Sequence, residues 1–172
     1  LPLEPGSNLM PYCEFSCPIG TLTLVASDKG LMGVWWPDDA RMAIFGDPDP
    51  DHPVLRQARR ELDEYFAGER TRFDVPLDPI GTDFQRAAWQ ILRGIDYATT
   101  ITYAEQARRL GDPNKARAVG AANGRNPISI IVPCHRVIGS SGALTGFAGG
   151  LDTKHWLLEF ERTHAAGRTV EA

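Results

Sequence analysis

The texture of the chain changes once, near residue 80, and that change constrains the fold more than any other feature. Residues 11–36 are β-rich runs, Tyr12 to Cys17, Thr21 to Val25 and Leu31 to Trp36, separated by Pro18-Ile19-Gly20 and Ser27-Asp28-Lys29-Gly30. Turn residues this closely spaced predict an antiparallel meander. The acidic, proline-broken stretch Asp47 to Pro53 reads as a loop. Val54 to Phe66 then places Leu55, Ala58, Leu62, Tyr65 and Phe66 at helical spacing, with Gly68 as a stop. Residues 68–83, rich in Pro, Asp and Gly, read as a linker. From Thr82 onward the period is helical, beginning with a stripe of Phe84, Ala87, Ala88, Ile91 and Leu92. The expected fold is mixed α/β (α+β): an N-terminal antiparallel-sheet domain with a helix over residues 11–80, then a helical domain over 81–165.

Within the second part, Thr102-Tyr103-Ala104-Glu105 has the spacing of a capping box, in which the threonine hydroxyl and the glutamate cap each other's amides. That helix ends at Gly111. Asp112-Pro113 opens another with an acidic cap and a first-turn proline. Helix, glycine turn, helix is a helix-turn-helix pattern. The second helix, about Pro113 to Ala122, is small-sided: Ala116, Ala118, Gly120, Ala121 and Ala122. Such a face permits close approach, either to a neighbouring helix or to another molecule. A last helix is expected over Thr153 to Arg162, with Trp156, Leu157 and Phe160 apolar and a frayed tail beyond Thr163.

Charge narrows the partners. A net charge of −4 over 172 residues excludes a protein that coats nucleic acid indiscriminately. Its distribution is uneven: residues 1–79 hold 7 Lys+Arg against 14 Asp+Glu, whereas residues 80–172 hold 11 against 8. Arg108, Arg109, Lys115, Arg117, Arg125 and Arg136 fall between 103 and 136, opposed only by Glu105 and Asp112. A basic surface confined to one face of an acidic chain suits a polyanion site. No apolar stretch approaches the ~18 residues of a membrane span. Leu1 to Met10 lacks the basic and apolar regions of a signal peptide. Three cysteines form no even framework and fit a reducing, cytoplasmic setting.

One of them carries the chemistry. Pro133-Cys134-His135-Arg136 follows the apolar run Ile128 to Val132 and precedes Val137-Ile138-Gly139. An unpaired cysteine is usually a small core hydrophobe. Beside an imidazole and a guanidinium, however, a thiol is expected to fall below its ordinary pKa of about 8.5 and become a thiolate nucleophile. The glycine-rich stretches Gly139 to Gly142 and Thr145 to Gly150 follow closely and offer backbone amides to a ligand. Cys13 and Cys17 share one strand pattern and lack the short spacing of a zinc knuckle, so neither a metal nor another cofactor is expected.

Taken together these residues resemble the O6-alkylguanine-DNA alkyltransferase family (methylated-DNA–protein-cysteine methyltransferases). The resemblance covers about residues 82–162, and more loosely the strand-rich half. It is carried by Pro133-Cys134-His135-Arg136-Val137, the preceding Asn126-Pro127, Lys115 to Gly120, and Gly149-Gly150 with Lys154 and Trp156-Leu157-Leu158. It implies a ribonuclease H-like first domain and a winged helix-turn-helix whose small-sided helix enters the minor groove. It also implies flipping of the damaged base, because an atom inside the duplex is out of reach. Cys134 would accept the alkyl group from O6-alkylguanine, and from O4-alkylthymine, once per molecule. His135 would act as base through a water, oriented by Glu161, with Asn126 bracing the turn and Arg136 bracing the site. Arg117 would fill the vacated stack, with Ala116, Ala118, Gly120, Ala121 and Arg125 against DNA. Tyr103, Val137, Phe147, Ala148 and Gly149 would line the alkylguanine pocket, Phe147 standing where the family usually has tyrosine. The implied partner is double-stranded DNA carrying O6-alkylguanine, with no membrane; a monomer is expected, and cooperativity on DNA stays open.

Three other classes compete. A non-catalytic lesion binder of the alkyltransferase-like kind carries tryptophan at the cysteine position, and Cys134 speaks against it. A transcription regulator would use the helix-turn-helix, but no second DNA-binding arm or dimer helix is evident. A papain-like cysteine hydrolase draws its Cys and His from distant positions, unlike the adjacent pair here.

Overall fold

The computed structural model describes residues 10–39, 47–142 and 146–170, with side chains placed as far as residue 166. Thr145 of the glycine-rich stretch and the residues before Met10 lie outside this range. The chain divides into two compact units, residues 1–79 and 80–172.

In the first unit the expected meander forms. Strands β1 (Tyr12–Cys17), β2 (Gly20–Ala26) and β3 (Leu31–Trp35) pair antiparallel in sequence order, Cys17 opposite Gly20 and Thr23 opposite Trp35. Helix α1 (Pro53–Phe66) buries Leu55, Ala58, Leu62 and Tyr65, and its N-cap is His52, whose Nδ1 accepts from the Val54 amide. One polar residue joins that buried face. Glu61, fully buried, accepts from the Asp74 amide at 2.8 Å, the Val75 amide at 3.1 Å and Gln57 Nε2 at 2.8 Å.

Residues 74–78 are therefore not a free linker. Leu31 donates to the Pro76 carbonyl and the Asp78 amide donates back to Leu31, a parallel bridge that extends the edge of β3. The approach is close enough that a Cβ on Gly30 would lie 2.6 Å from the Pro76 oxygen, so only glycine fits there.

The second unit is helical. Helix α2 (Asp83–Arg93) starts in a reciprocal capping box of Thr82 and Gln85. Its buried face is Ala88, Trp89 and Leu92, whereas Ala87 of the expected stripe is exposed. Trp89 shifts the face because its indole Nε1 reaches the Ala122 carbonyl, 2.8 Å away. Strand β4 (Ile101–Thr102) leads into α3 (Tyr103–Arg109). Thr102 Oγ1 accepts from the Glu105 amide as expected, but the Glu105 carboxylate goes to Arg108 and Arg109. Those two cations hold it down at about 2. Gly111, at φ +105°, makes the turn.

Asp112 then caps a single 3-10 turn, Pro113–Lys115, before α4 (Ala116–Gly124), which starts three residues later than expected and ends two later. A second 3-10 turn holds Cys134–Arg136 and runs into β5 (Val137–Ile138), which pairs parallel with β4. The last helix, α5 (Leu151–Val170), continues past Thr163, where fraying was expected. Among the described residues no helix is long and apolar enough to cross a membrane.

Candidate active site and nucleic-acid interface

The segment leading to Cys134 is buried from Asn126 to Val137 and is held by side chain rather than by sheet. Asn126 spans it: Nδ2 donates to the Val132 carbonyl at 2.8 Å, and Oδ1 accepts from the Ile128 amide at 3.0 Å. Ile130 sits at φ +73° with its side chain fully buried. A β-branched residue pays on the order of 1–3 kcal/mol in that region, so surrounding packing over-determines the turn. Cys134 emerges from it 8% exposed.

Behind the thiol lies a buried charge network. Glu161, on the inner face of α5, accepts from His135 Nε2 at 2.7 Å, Arg136 Nε at 2.8 Å, Arg136 Nη2 at 2.9 Å and the Ala98 amide at 3.1 Å. The remaining Arg136 nitrogen, Nη1, donates to the Ile95 carbonyl at 2.8 Å. Burial alone would raise the Glu161 carboxyl; the hydrogen bonds from His135 and Arg136 and the guanidinium charge of Arg136 outweigh it and hold the group well below the carboxylate range. Burial pushes His135 the other way, toward the neutral ring, more strongly than Glu161 raises it. A neutral ring donating Nε2–H to a carboxylate leaves Nδ1 as a lone pair. That atom is buried and has no hydrogen-bond partner among the described residues.

The thiol contradicts the sequence expectation. Burial raises Cys134 above its ordinary value, against smaller lowering contributions from the Asn126 hydrogen bond and the Lys154 charge. The adjacent cations do not help because Arg136 is spent on Glu161 and His135 is neutral. Lys154 was missed as a site residue: fully buried on α5, its Nζ donates to the Val137 carbonyl at 2.7 Å and lies 5.8 Å from the Tyr103 ring centre. Its signal was available. Lys154, Leu157 and Glu161 recur at i, i+3 and i+7, which puts two charges on a face that ought to be apolar.

A groove of about 610 Å³ opens in the same unit, lined by Tyr103, Ala116, Arg117, Gly120, Gly124, Gly146, Phe147 and Ala148. Six of these eight were expected site residues; Gly124 and Gly146 were not. Ala118, Ala121 and Arg125 are exposed but do not line it, and neither do Val137, Gly149 or Cys134. Of the small residues of α4, Ala118 and Ala121 point outward and Ala116 and Gly120 are half-buried, whereas Ala122 turns inward with Val119 and Asn123. A Cβ at Gly120 would make only ordinary contact, 3.7 Å, with the Tyr103 ring. Internal packing therefore does not demand the missing side chain.

Comparison with known proteins identifies the family. Residues 83–163 match the family profile described as 6-O-methylguanine DNA methyltransferase, DNA binding domain, and residues 10–79 match its ribonuclease-like domain. A methylated-DNA–protein-cysteine methyltransferase of Methanosarcina acetivorans is 46% identical over 153 residues, covering 88% of this chain and 98% of that one. The crystal structure of the Mycobacterium tuberculosis O6-methylguanine methyltransferase superposes with a TM-score of 0.81 at 45% identity, over 90% of this chain and 94% of that one. A structure of Mycobacterium tuberculosis OGT in complex with DNA gives 0.81 at 47% identity, over 89% and 93%. With both domain profiles matched in order along most of its length, the chain belongs to the 6-O-methylguanine DNA methyltransferase family.

Proposed function

We propose that this protein repairs DNA by direct reversal, moving the alkyl group of O6-alkylguanine irreversibly onto Cys134. The observation that carries the assignment of the acceptor is the coupling of Cys134 to its neighbours. The cysteine is braced by Asn126 and followed by a histidine whose tautomer a buried glutamate fixes.

The chemistry needs a thiolate and a protonated leaving base. Because burial keeps Cys134 as a thiol, its proton has to leave as the reaction proceeds. His135 Nδ1 takes it by way of a water, and Glu161, across the ring, stabilises the imidazolium that forms. The sulfur attacks the O6 alkyl carbon. The S–C bond forms as the C–O bond breaks, the electron pair passes into the guanine ring, and a proton from His135 returns to the departing base. Sulfur, carbon and proton balance without a cofactor. The thioether has no facile leaving group, so each molecule reacts once.

Lesion access belongs to the groove together with residues of the same unit outside its lining. Ala116, Ala118, Gly120 and Ala121 present a small face to duplex DNA, Arg125 supplies charge, and Arg117 enters the stack that the flipped base leaves. Tyr103, Phe147, Ala148 and Gly149, with the Val137 main chain, receive the base; O4-alkylthymine fits the same demand. We assign residues 11–80 to the ribonuclease-like domain and 81–165 to DNA binding and alkyl acceptance, an assignment supported by the division at residue 79. The protein works as a monomer on damaged double-stranded DNA in the cytoplasm.

Intact-protein mass spectrometry after incubation with a duplex carrying one O6-methylguanine tests this. One added methyl on the Cys134 peptide, saturating at one per protein and absent from Cys134→Ala, is expected. Tight lesion binding with unchanged mass would make the protein a damage sensor instead.

A further inference from the structure

Helices α3 and α4 meet at a feature that the reaction above does not use. Gln106 on α3 and Asn123 on α4 are buried, 0% and 7% exposed, and face each other as a reciprocal amide pair. Gln106 Nε2 donates to Asn123 Oδ1 at 3.0 Å while Asn123 Nδ2 donates to Gln106 Oε1 at 2.7 Å. Gln106 Nε2 also donates to the Ala88 carbonyl at 3.1 Å, which ties α2 to the same point. Two antiparallel amide bonds fix distance and rotation together, whereas an apolar contact at this position would fix neither.

Both helices leave this point toward function. In one direction they carry Tyr103, Ala116, Arg117 and Gly120 into the groove. In the other, the Asn123 carbonyl accepts from the Asn126 amide at 3.1 Å, and the Asn126 side chain holds the turn that carries Cys134. The amide pair is thus a strut between the DNA-facing helix and the thiol turn.

We infer that Gln106 and Asn123 are positioning residues whose amide pair aligns the α4 groove with the Cys134 turn for a base delivered by duplex DNA. A free base enters without docking on α4 and is indifferent to that alignment. The inference rests on the alkyl-transfer reading, so the wild-type protein is the control: if it transfers nothing, that reading fails first.

The test compares single-turnover transfer from an O6-methylguanine duplex and from free O6-benzylguanine, read by intact mass. In the variant Gln106→Leu/Asn123→Leu, which removes both amides without leaving either unpaired, the duplex rate should fall on the order of ten- to a hundredfold. The free-base rate should be unchanged. A parallel fall in both rates, or no fall in either, overturns the inference. Should that variant not fold, the exchange Gln106→Asn/Asn123→Gln rebuilds the pair in reverse and is expected to keep the wild-type ratio of the two rates. A changed ratio with the pair rebuilt overturns it equally.

Discussion

Replacing Glu161 by glutamine probes both the stability and the chemistry of the second unit. Arg136 Nε and the Ala98 amide donate to Oε1 of the carboxylate, and His135 Nε2 and Arg136 Nη2 donate to Oε2. A glutamine keeps one accepting oxygen and turns the other position into a donor. Whichever way the amide is placed, one pair of donors faces an NH2 group, and the buried Arg136 guanidinium loses its counter-charge. Breaking a buried pair by removing one partner costs about 3–5 kcal/mol, which lowers the melting temperature of a chain this size by roughly 6–20 °C. If the amide NH2 faces His135, the ring keeps a hydrogen bond only by accepting at Nε2, which moves its proton to Nδ1. The base is then occupied. A general base is worth roughly 10²–10⁴ in rate, and transfer from duplex should slow within that range. Calorimetry reads the first quantity and single-turnover mass spectrometry the second. A Glu161→Gln protein that melts like the wild type and transfers at the same rate would refute the tautomer argument, whatever the fate of the family assignment.

Protons give a second check. His135 and Glu161 both titrate below their usual values in the fold, so the unfolded chain binds protons more readily and stability rises with pH through both windows. The His135 contribution should be full above its unfolded value of about 6.5 and lost as pH falls below it; the Glu161 contribution should be lost further down, below about 4.3. Urea unfolding across pH 7 to 4 should show the upper step in the wild type and not in His135→Asn. Removing the brace with Asn126→Ala strands the Val132 carbonyl and the Ile128 amide, costs about 2–5 kcal/mol, and should slow duplex and free-base transfer alike, unlike the Gln106/Asn123 variant. In the first unit, Glu61→Ala leaves the Asp74 and Val75 amides without their acceptor and should cost about 2–5 kcal/mol in urea, with the transfer rate of the folded protein intact.

The sequence by itself determined whatever is settled within a few residues. The strands of the meander stand where turn chemistry at Pro18 to Gly20 and Ser27 to Gly30 ends one run and begins the next. Thr102, Gly111 and Asp112-Pro113 mark the helix ends because capping is a contact between near neighbours. The order of motifs, from Lys115 to Lys154, was enough to identify the alkyltransferase family.

Tertiary structure decided what depends on partners far along the chain or on collective burial. Arg136 and Glu161 are 25 residues apart, and only folding reveals that the cation beside Cys134 is already neutralised. The direction of the thiol pKa turned on this, since desolvation is a sum over every atom packed around the sulfur and has no local signature. Residues 74–78 read as a linker because their hydrogen bonds go to Glu61 and Leu31, far off in sequence, and α2 buries Trp89 because Ala122 waits for its indole. The Gln106–Asn123 strut has the same character: two amides that look like surface residues in sequence become a buried pair because three helices converge on them.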